Sequence, residues 1–440
     1  MWFPMTRRKF LAWGGAAVSA SLLHSVAHSQ APELKPLRIG VAVPAQSGQL
    51  AMRASITDYV GQAGRMGAIF AESQIGELAY EGGWDLKILH ANTPSPEAAL
   101  RAGERLIERG DICALVGGIG EGQAEVLSEI AEKARIPFFN VGSSLDALRH
   151  ARCSRYTFHI EASEAMYLDA MVAWYASHGL RRWSVIHEDS DHGRALHARS
   201  LRSIGTHGLG SEIVGAVSVF KEQPNYRNEI NAIRSFSPDV VLVLASEIDQ
   251  ISIIGQMEGA GLDVPAVTLP TTISQTRDYL SAVRKYLPAT NPRNRVALWE
   301  TTLQSDGGDV FNETFLMRFG QPADPTAWAA YHAIKMIFES VEATGTLNSS
   351  ELIAYLENPS TVFEVSKGTG VSFRPWDHQL RQPLYVIEVD QELVWVRADI
   401  TTHVGLARFA AMVPNVDSGG DALARLDQFG DGPEDSLCRL

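Results

Sequence analysis

Cysteine is scarce in this chain, with only Cys113, Cys153 and Cys438 among 440 residues. That excludes a thiolate-rich metal centre and a scaffold built on disulfides, and it leaves room for one bridge and one thiol. No G-x-S-x-G nucleophile elbow and no Walker A loop occurs, so serine-hydrolase and P-loop chemistry have no sequence support. Positive charge is also short: 38 Lys and Arg face 51 Asp and Glu, a formal net charge of -13. Residues 1–29 carry Arg7, Arg8 and Lys9 and no acid, so a chain starting near Gln30 would stand at -13 minus 3, or -16. Nucleic acid and anionic membrane surfaces need a basic face and are excluded as partners. What is present is apolar residues at 45% with charged residues at 20%, too apolar for disorder and too long for one core. Two lobes are expected.

Cys113 lies inside the apolar run ICALV and reads as a buried small hydrophobe. Cys153 and Cys438 stand in polar surroundings and are the better-suited pair, which would staple the end of the chain to its middle.

Residues 1–29 read as an address. TRRKFLAW precedes LAWGGAAVSASLLHSVA, a weakly apolar run too short to span a bilayer, and resembles a twin-arginine export signal. Small residues at Ala27 and Ser29 suit cleavage near Gln30. An amphipathic surface helix would spread its cations along one face, whereas these cluster at one end. The expectation is a soluble periplasmic protein with no stable membrane insertion once the signal is removed.

From residue 37 onward short apolar runs alternate with helical periodicity. LRIGVAV, WDLKILHAN, ICALVGG and PFFNVGSS read as strands; 56–78, SPEAALRAGERLIERG and GQAEVLSEIAEKARI read as helices, the second capped by Ser95 and stopped by Gly110. The same grammar repeats after Cys153 with strands WSVIHEDS, EIVGAVSVF, DVVLVLA and AVTLP. The fold class is α/β, two lobes with parallel sheets, and a ligand cleft is expected beyond the carboxyl ends of the strands. NRVALWETTL through SSELIAYLEN return to helical character, FRPWDHQLRQPLYVIEVDQELVWVRADI reads as two extended runs, and the last 40 residues lack periodicity, a tail ordered only by docking.

Three stretches invite chemistry. VGGIGEGQ at 116–123 follows a strand, but Gln123 stands where a dinucleotide fingerprint needs its third glycine; a cleft loop or a plain turn remains. HEDSDHG at 187–193 has Asp191 where a zincin helix needs its second His, so a cleft-facing loop or a helix cap on Asp191 is the reading. In VSFRPWDHQLRQPLYVI, Asp377 and His378 are sequence neighbours that an extended chain points apart, so this is a turn framed by Pro375 and Pro383, with Trp376 packed and Arg381 paired to a carboxylate.

The order LRIGVAVPAQSG, ICALVGGIGEGQ, IPFFNVGSS, YTFHIEASEAM, WSVIHEDSDHG, SPDVVLVLAS and FNETFLMRFGQPADPTAWAAYHAIKMIFESVEATG resembles type I periplasmic binding proteins of the leucine/isoleucine/valine kind that feed ABC transporters, over about 37–390. CSRYTFHIEASEAM, FRPWDHQLRQPLY and LARLDQFGDGPEDSLCRL resemble, more narrowly, the binding proteins of pyrroloquinoline-quinone-dependent alcohol dehydrogenase systems, where two cysteines placed like Cys153 and Cys438 recur. The resemblance implies two Rossmann-like lobes joined by a three-strand hinge: lobe 1 at 37–155 plus 281–366, lobe 2 at 156–280 plus 367–395, and a tail at 396–440, with crossings near 155, 280 and 367. It implies no enzyme activity and no cofactor or metal. The partners implied are a small-molecule ligand and an ABC permease or periplasmic sensor domain.

By position, the implied ligand contacts are Gln46, Ser47, Gly120, Glu121, Ser143 and Ser144 from lobe 1, and Tyr167, His192, Ser246, Glu247, Thr271 and Thr272 from lobe 2. Glu121 replaces the small hydroxyl that holds an α-carboxylate in amino-acid binders, and His192 replaces an aromatic residue; a neutral or cationic ligand therefore fits better than a branched-chain amino acid. The alternatives are a sensor or accessory protein serving an alcohol dehydrogenase without transport, and a metal- or nucleotide-dependent enzyme.

Overall fold

The computed structural model describes residues 34–45, 56–284, 293–304, 307–390, 404–415 and 421–440. Residues 1–29, Gln46 and Ser47, and most of DQELVWVRADI lie outside them.

The first lobe is a parallel sheet in the order β2-β1-β3-β4-β5, built from β1 (Lys35–Val43), β2 (Trp84–Asn92), β3 (Ala114–Gly117), β4 (Phe138–Asn140) and β5 (Thr157–His159). Its helices are α1 (Ile56–Glu81), α2 (Pro96–Gly110) and α3 (Gln123–Ala134). Ser95 caps α2 through the amide of Ala98, Pro96 opens it, and Asp111 ends it in the left-handed conformation just past Gly110. The chain then enters the second lobe through α4 (Glu164–Ser177).

The second sheet is also parallel, in the order β7-β6-β8-β9: β6 (Arg182–Glu188), β7 (Glu212–Val219), β8 (Val240–Leu244) and β9 (Ala266–Thr268), connected by α5 (Asp191–His207), α6 (Arg227–Phe236) and α7 (Glu247–Gly259). VVLVL of β8 is buried at all five positions, as a strand covered on both faces requires. After α8 (Arg277–Val283), NRVALWETTL departs from its expected helical character. Asn294–Ala297 is a strand, β10, whose apolar run is too short for periodicity to separate strand from helix.

The chain next returns to the first lobe as α9 (Gly308–Phe319), α10 (Pro325–Thr344) and α11 (Ser349–Glu357). α10 lies along α1, and the backbones meet so closely at Gly67 that an added Cβ would fall 2.1 Å from the carbonyl oxygen of Ala327. A small antiparallel sheet of β11 (Phe363–Glu364), β12 (Gly370–Phe373) and β13 (Leu380–Arg381) packs there, with Phe373 edge-on to Phe139 and Phe158. Finally β14 (Leu384–Val389) and β15 (Ala407–Val413) join β10 in an antiparallel sheet, so part of the expected tail is a strand; a short helix, α12 (Ala422–Leu426), precedes the C-terminus.

The sheets thus place the passages between lobes at three points: after His159, between Ala297 and α9, and between Arg381 and Leu384. β5 extends the first sheet past residue 155, and Lys367 stays with the first lobe's side of the third passage.

Candidate ligand cleft and hinge

The carboxyl ends of both parallel sheets carry the loops the sequence singles out. After β3, Gly118 and Gly120 both take positive φ (93° and 102°), which lets the loop turn sharply into α3. The side chain of Glu121 is exposed. After β4, Asn140 holds the next loop: its Oδ1 accepts from the amides of Gly142 and Ser143, and its Nδ2 donates to the carbonyl of Ser143.

Ser144 and His192 are brought to one joint. The carbonyl of Ser144 accepts the first amide of α4, that of Glu164, and His192 Nε2 lies 3.1 Å from Glu164 Oε1. Asp146 completes the joint: its amide donates to Glu164 Oε2 and its carboxylate accepts from the amide of Ala165. Burial, and then the neighbouring Glu164, push the Asp146 carboxyl up to about 7, while the Glu164 hydrogen bond raises His192. His192 itself is half exposed.

Tyr167 lies beneath this joint and is fully buried. Its hydroxyl donates to Glu161 Oε1 at 2.5 Å and accepts from Gln275 Nε2 at 3.0 Å, and the same amide nitrogen reaches the carbonyl of Thr271. Tyr167 and Thr271 are therefore joined through Gln275. Burial raises the Glu161 carboxyl to about 7, and its second oxygen accepts no hydrogen bond among the described residues.

Ser246 caps α7, accepting from the amide of Asp249 and donating to its carboxylate, which fixes Glu247 in the first turn. Thr271 closes a turn with Ser274, and Thr272 follows it half-buried. In HEDSDHG the cap is Ser190, through the amide of Gly193, and not Asp191, which is the first helical residue and pairs with Arg194. The helix therefore begins one residue earlier than a cap at Asp191 would require, because the strand already ends at Glu188. Among the described residues no group of three or more His, Cys, Asp and Glu side chains could hold a metal ion.

Sequence reasoning missed the buried side chains that tie the hinge. Lys367 is fully buried and donates to the carbonyl of Leu298 at 2.7 Å, to Gln382 Oε1 at 2.9 Å and to the carbonyl of Pro383 at 2.9 Å. Gln382 Nε2 in turn reaches the carbonyl of Ile160 at 2.6 Å. One ammonium and one amide thus tie all three passages. Trp328, stacked on Trp299, and Tyr385 present their ring faces to the same ammonium, which burial drives well below the ordinary lysine range. A second buried cation, Arg149, binds Gln379 and the carbonyls of Ser143, Leu145 and Glu161. No local signal in the sequence marks either cation.

FRPWDHQLR is a clamp on the C-terminal segment. Arg381 pairs with Asp427 at 2.8 Å, Arg374 reaches the same carboxylate and the carbonyls of Leu426 and Phe429, and Trp376 Nε1 donates to the carbonyl of Asp431. His378 is buried flat against Phe158, with ring centroids 4.3 Å apart. Cys153 and Cys438 form a disulfide, and Cys113 is a free, buried thiol.

Two parallel-sheet lobes with three passages between them form the α/β fold of a two-lobed binding protein. The periplasmic binding protein family model matches residues 37–392, and the chain belongs to that family. It is similar to a solved ABC transporter substrate-binding protein from Sphaerobacter thermophilus (TM-score 0.71, 21% identity, covering 87% of this chain and 98% of that one). A branched chain amino acid ABC transporter periplasmic ligand-binding protein from Burkholderia xenovorans gives a TM-score of 0.72 at 16% identity, over 86% and 95%. A solute binding protein of an R. palustris ABC transporter, solved with benzoate, gives 0.68 at 17% identity, over 92% and 100%. At these identities the likeness is one of fold. No curated protein matches the chain by sequence.

Proposed function

We propose that this protein is the solute receptor of an ABC transport system, exported to the periplasm by its twin-arginine leader, and that it captures a small polar molecule between its lobes by hinge closure. The observation that carries the reading is the joint between the lobes. Three passages run through one buried hydrogen-bonded tie, Lys367 with Gln382, and each of the two parallel sheets carries its loops at the carboxyl ends of its strands. Ligand binding to both sets of loops would favour the closed state by its differential affinity.

The ligand set is Gly120, Glu121, Ser143, Ser144, His192, Ser246, Glu247, Thr271 and Thr272, joined by Gln46 and Ser47. Tyr167 serves from below, holding Glu161 and Gln275 in place. Glu121, Glu164, Glu188 and Glu247 weight this region towards negative charge against His192, which favours a neutral or cationic solute over a carboxylate. The narrower likeness of CSRYTFHIEASEAM and FRPWDHQLRQPLY to receptors of quinoprotein alcohol dehydrogenase systems ranks no ligand, so alcohols and aldehydes stand beside amides, amines and amino acids as candidates. A thermal-shift panel of alcohols, aldehydes, amides, amines and amino acids tests the reading: a stabilising member is expected, and no shift with any of them contradicts a transport role.

A further inference from the structure

We infer that the C-terminal segment is a fourth connection between the lobes, closed covalently by Cys153–Cys438, and that it limits how far the cleft opens. The inference rests on the two-lobe receptor reading and adds a restraint to its hinge.

The path of the chain carries it. β15 belongs to the antiparallel sheet with β10 and β14, on the second lobe's side of the passages. From there residues 421–440 run back over the joint and end on the first lobe. Cys438 bonds Cys153, 285 residues away, in the loop between Arg149 and β5. That loop is held to the first lobe by Arg155, which donates to both carboxylate oxygens of Glu357 on α11 at 2.8 Å, with Arg152 3.8 and 3.9 Å from Glu125 and Glu129 of α3.

Between its ends the segment grips both lobes. Asp431 is the bridging group: one oxygen takes His150 Nε2 of the first lobe at 2.7 Å, and the other lies 3.5 Å from Arg199 and 3.8 Å from Arg202 on α5 of the second. The amide of Gly430 donates to Asp169 of α4, which also binds Arg199 at 2.7 Å. Phe429 stands edge-on to His207 of α5. On the first lobe, Arg374 and Trp376 hold the carbonyls of Leu426, Phe429 and Asp431, and Ser436 Oγ donates to the carbonyl of Trp376. Opening the lobes by rotation about the three passages would separate His150 from Arg199, and Asp431 resists that separation while the disulfide holds the end of the strap. Without the bridge, the strap would be held on the first lobe by noncovalent contacts that water can replace.

The test is single-molecule energy transfer on the full chain without ligand, with dyes attached through unnatural amino acids at Glu132 on α3 and Glu258 on α7, both exposed. Reduction by a phosphine, or Cys438→Ser, is expected to lengthen the mean interlobe distance and broaden its distribution about twofold, because a hinge freed of one restraint samples wider angles. An unchanged distribution, in protein whose released segment has become protease-sensitive, overturns the inference. Should the bridge-free forms unfold by circular dichroism, Asp431→Asn with the disulfide intact decides: a smaller shift in the same direction supports the strap, and none overturns it.

Discussion

Lys367 Nζ and Gln382 Oε1 are 2.9 Å apart at the point where all three interlobe passages converge. Because the same ammonium also holds Leu298 and Pro383, and the same amide holds Ile160, neither side chain can move without uncoupling one passage from another. A buried cation is costly unless its donors are all used, and here all three are.

Lys367→Met keeps the apolar stem against Trp328 and removes the three donors. Leaving three buried acceptors without a partner is expected to cost on the order of 2–4 kcal/mol. Denaturant melts check this; a loss below about 0.5 kcal/mol would mean the tie is not structural.

The Asp146 carboxyl, raised to about 7 by burial, gives a signed pH effect. A carboxyl whose folded value lies above its unfolded one near 4 binds its proton more tightly when folded. Its favourable contribution is therefore present at low pH and is lost as pH rises from about 4 to 7. Asp146→Asn should thus gain on the parent by one to a few kcal/mol between pH 4.5 and 7.5, read from paired urea titrations. An advantage that shrinks with rising pH would contradict the assignment.

Glu357 behaves oppositely. Its hydrogen bonds from Arg155, and then His378 lying 3.3 Å away, hold it down at about 2. The stability it supplies is present above pH 4.5 and lost as pH falls through about 2. The pair is partly exposed, so Glu357→Gln should cost only about 1 kcal/mol at pH 7 and nothing measurable near pH 2.

Asp427 neutralises two guanidinium groups, one of them fully buried on Arg374. Asp427→Ala is expected to cost about 3 kcal/mol and to expose residues 421–440 to limited proteolysis. Protection equal to the parent's would show that the disulfide alone docks the segment.

The alternating strands and helices were legible in the sequence because parallel strands buried on both faces leave near-continuous apolar runs such as VVLVL, separated by caps such as Ser95. The carboxylate partner of Arg381 could be expected in kind, though not identified as Asp427. β10 and β15 escaped because four- and seven-residue runs carry no decisive period, and their antiparallel pairing with β14 is long-range. Lys367 and Arg149 escaped for a different reason: a lone cation between polar neighbours reads as solvated, and only tertiary structure supplies the carbonyls that make its burial affordable. The strand-end loops were legible by position, while the contrast between an exposed His192 and a buried Tyr167 was not.

The central claim is capture of a small solute, and native mass spectrometry of the freshly isolated mature protein tests it most directly. The account predicts a mass excess of one small organic molecule, released on unfolding and able on re-addition to raise the melting temperature. Protein of bare mass that no candidate solute stabilises, or protein carrying one equivalent of tightly held metal, would contradict it.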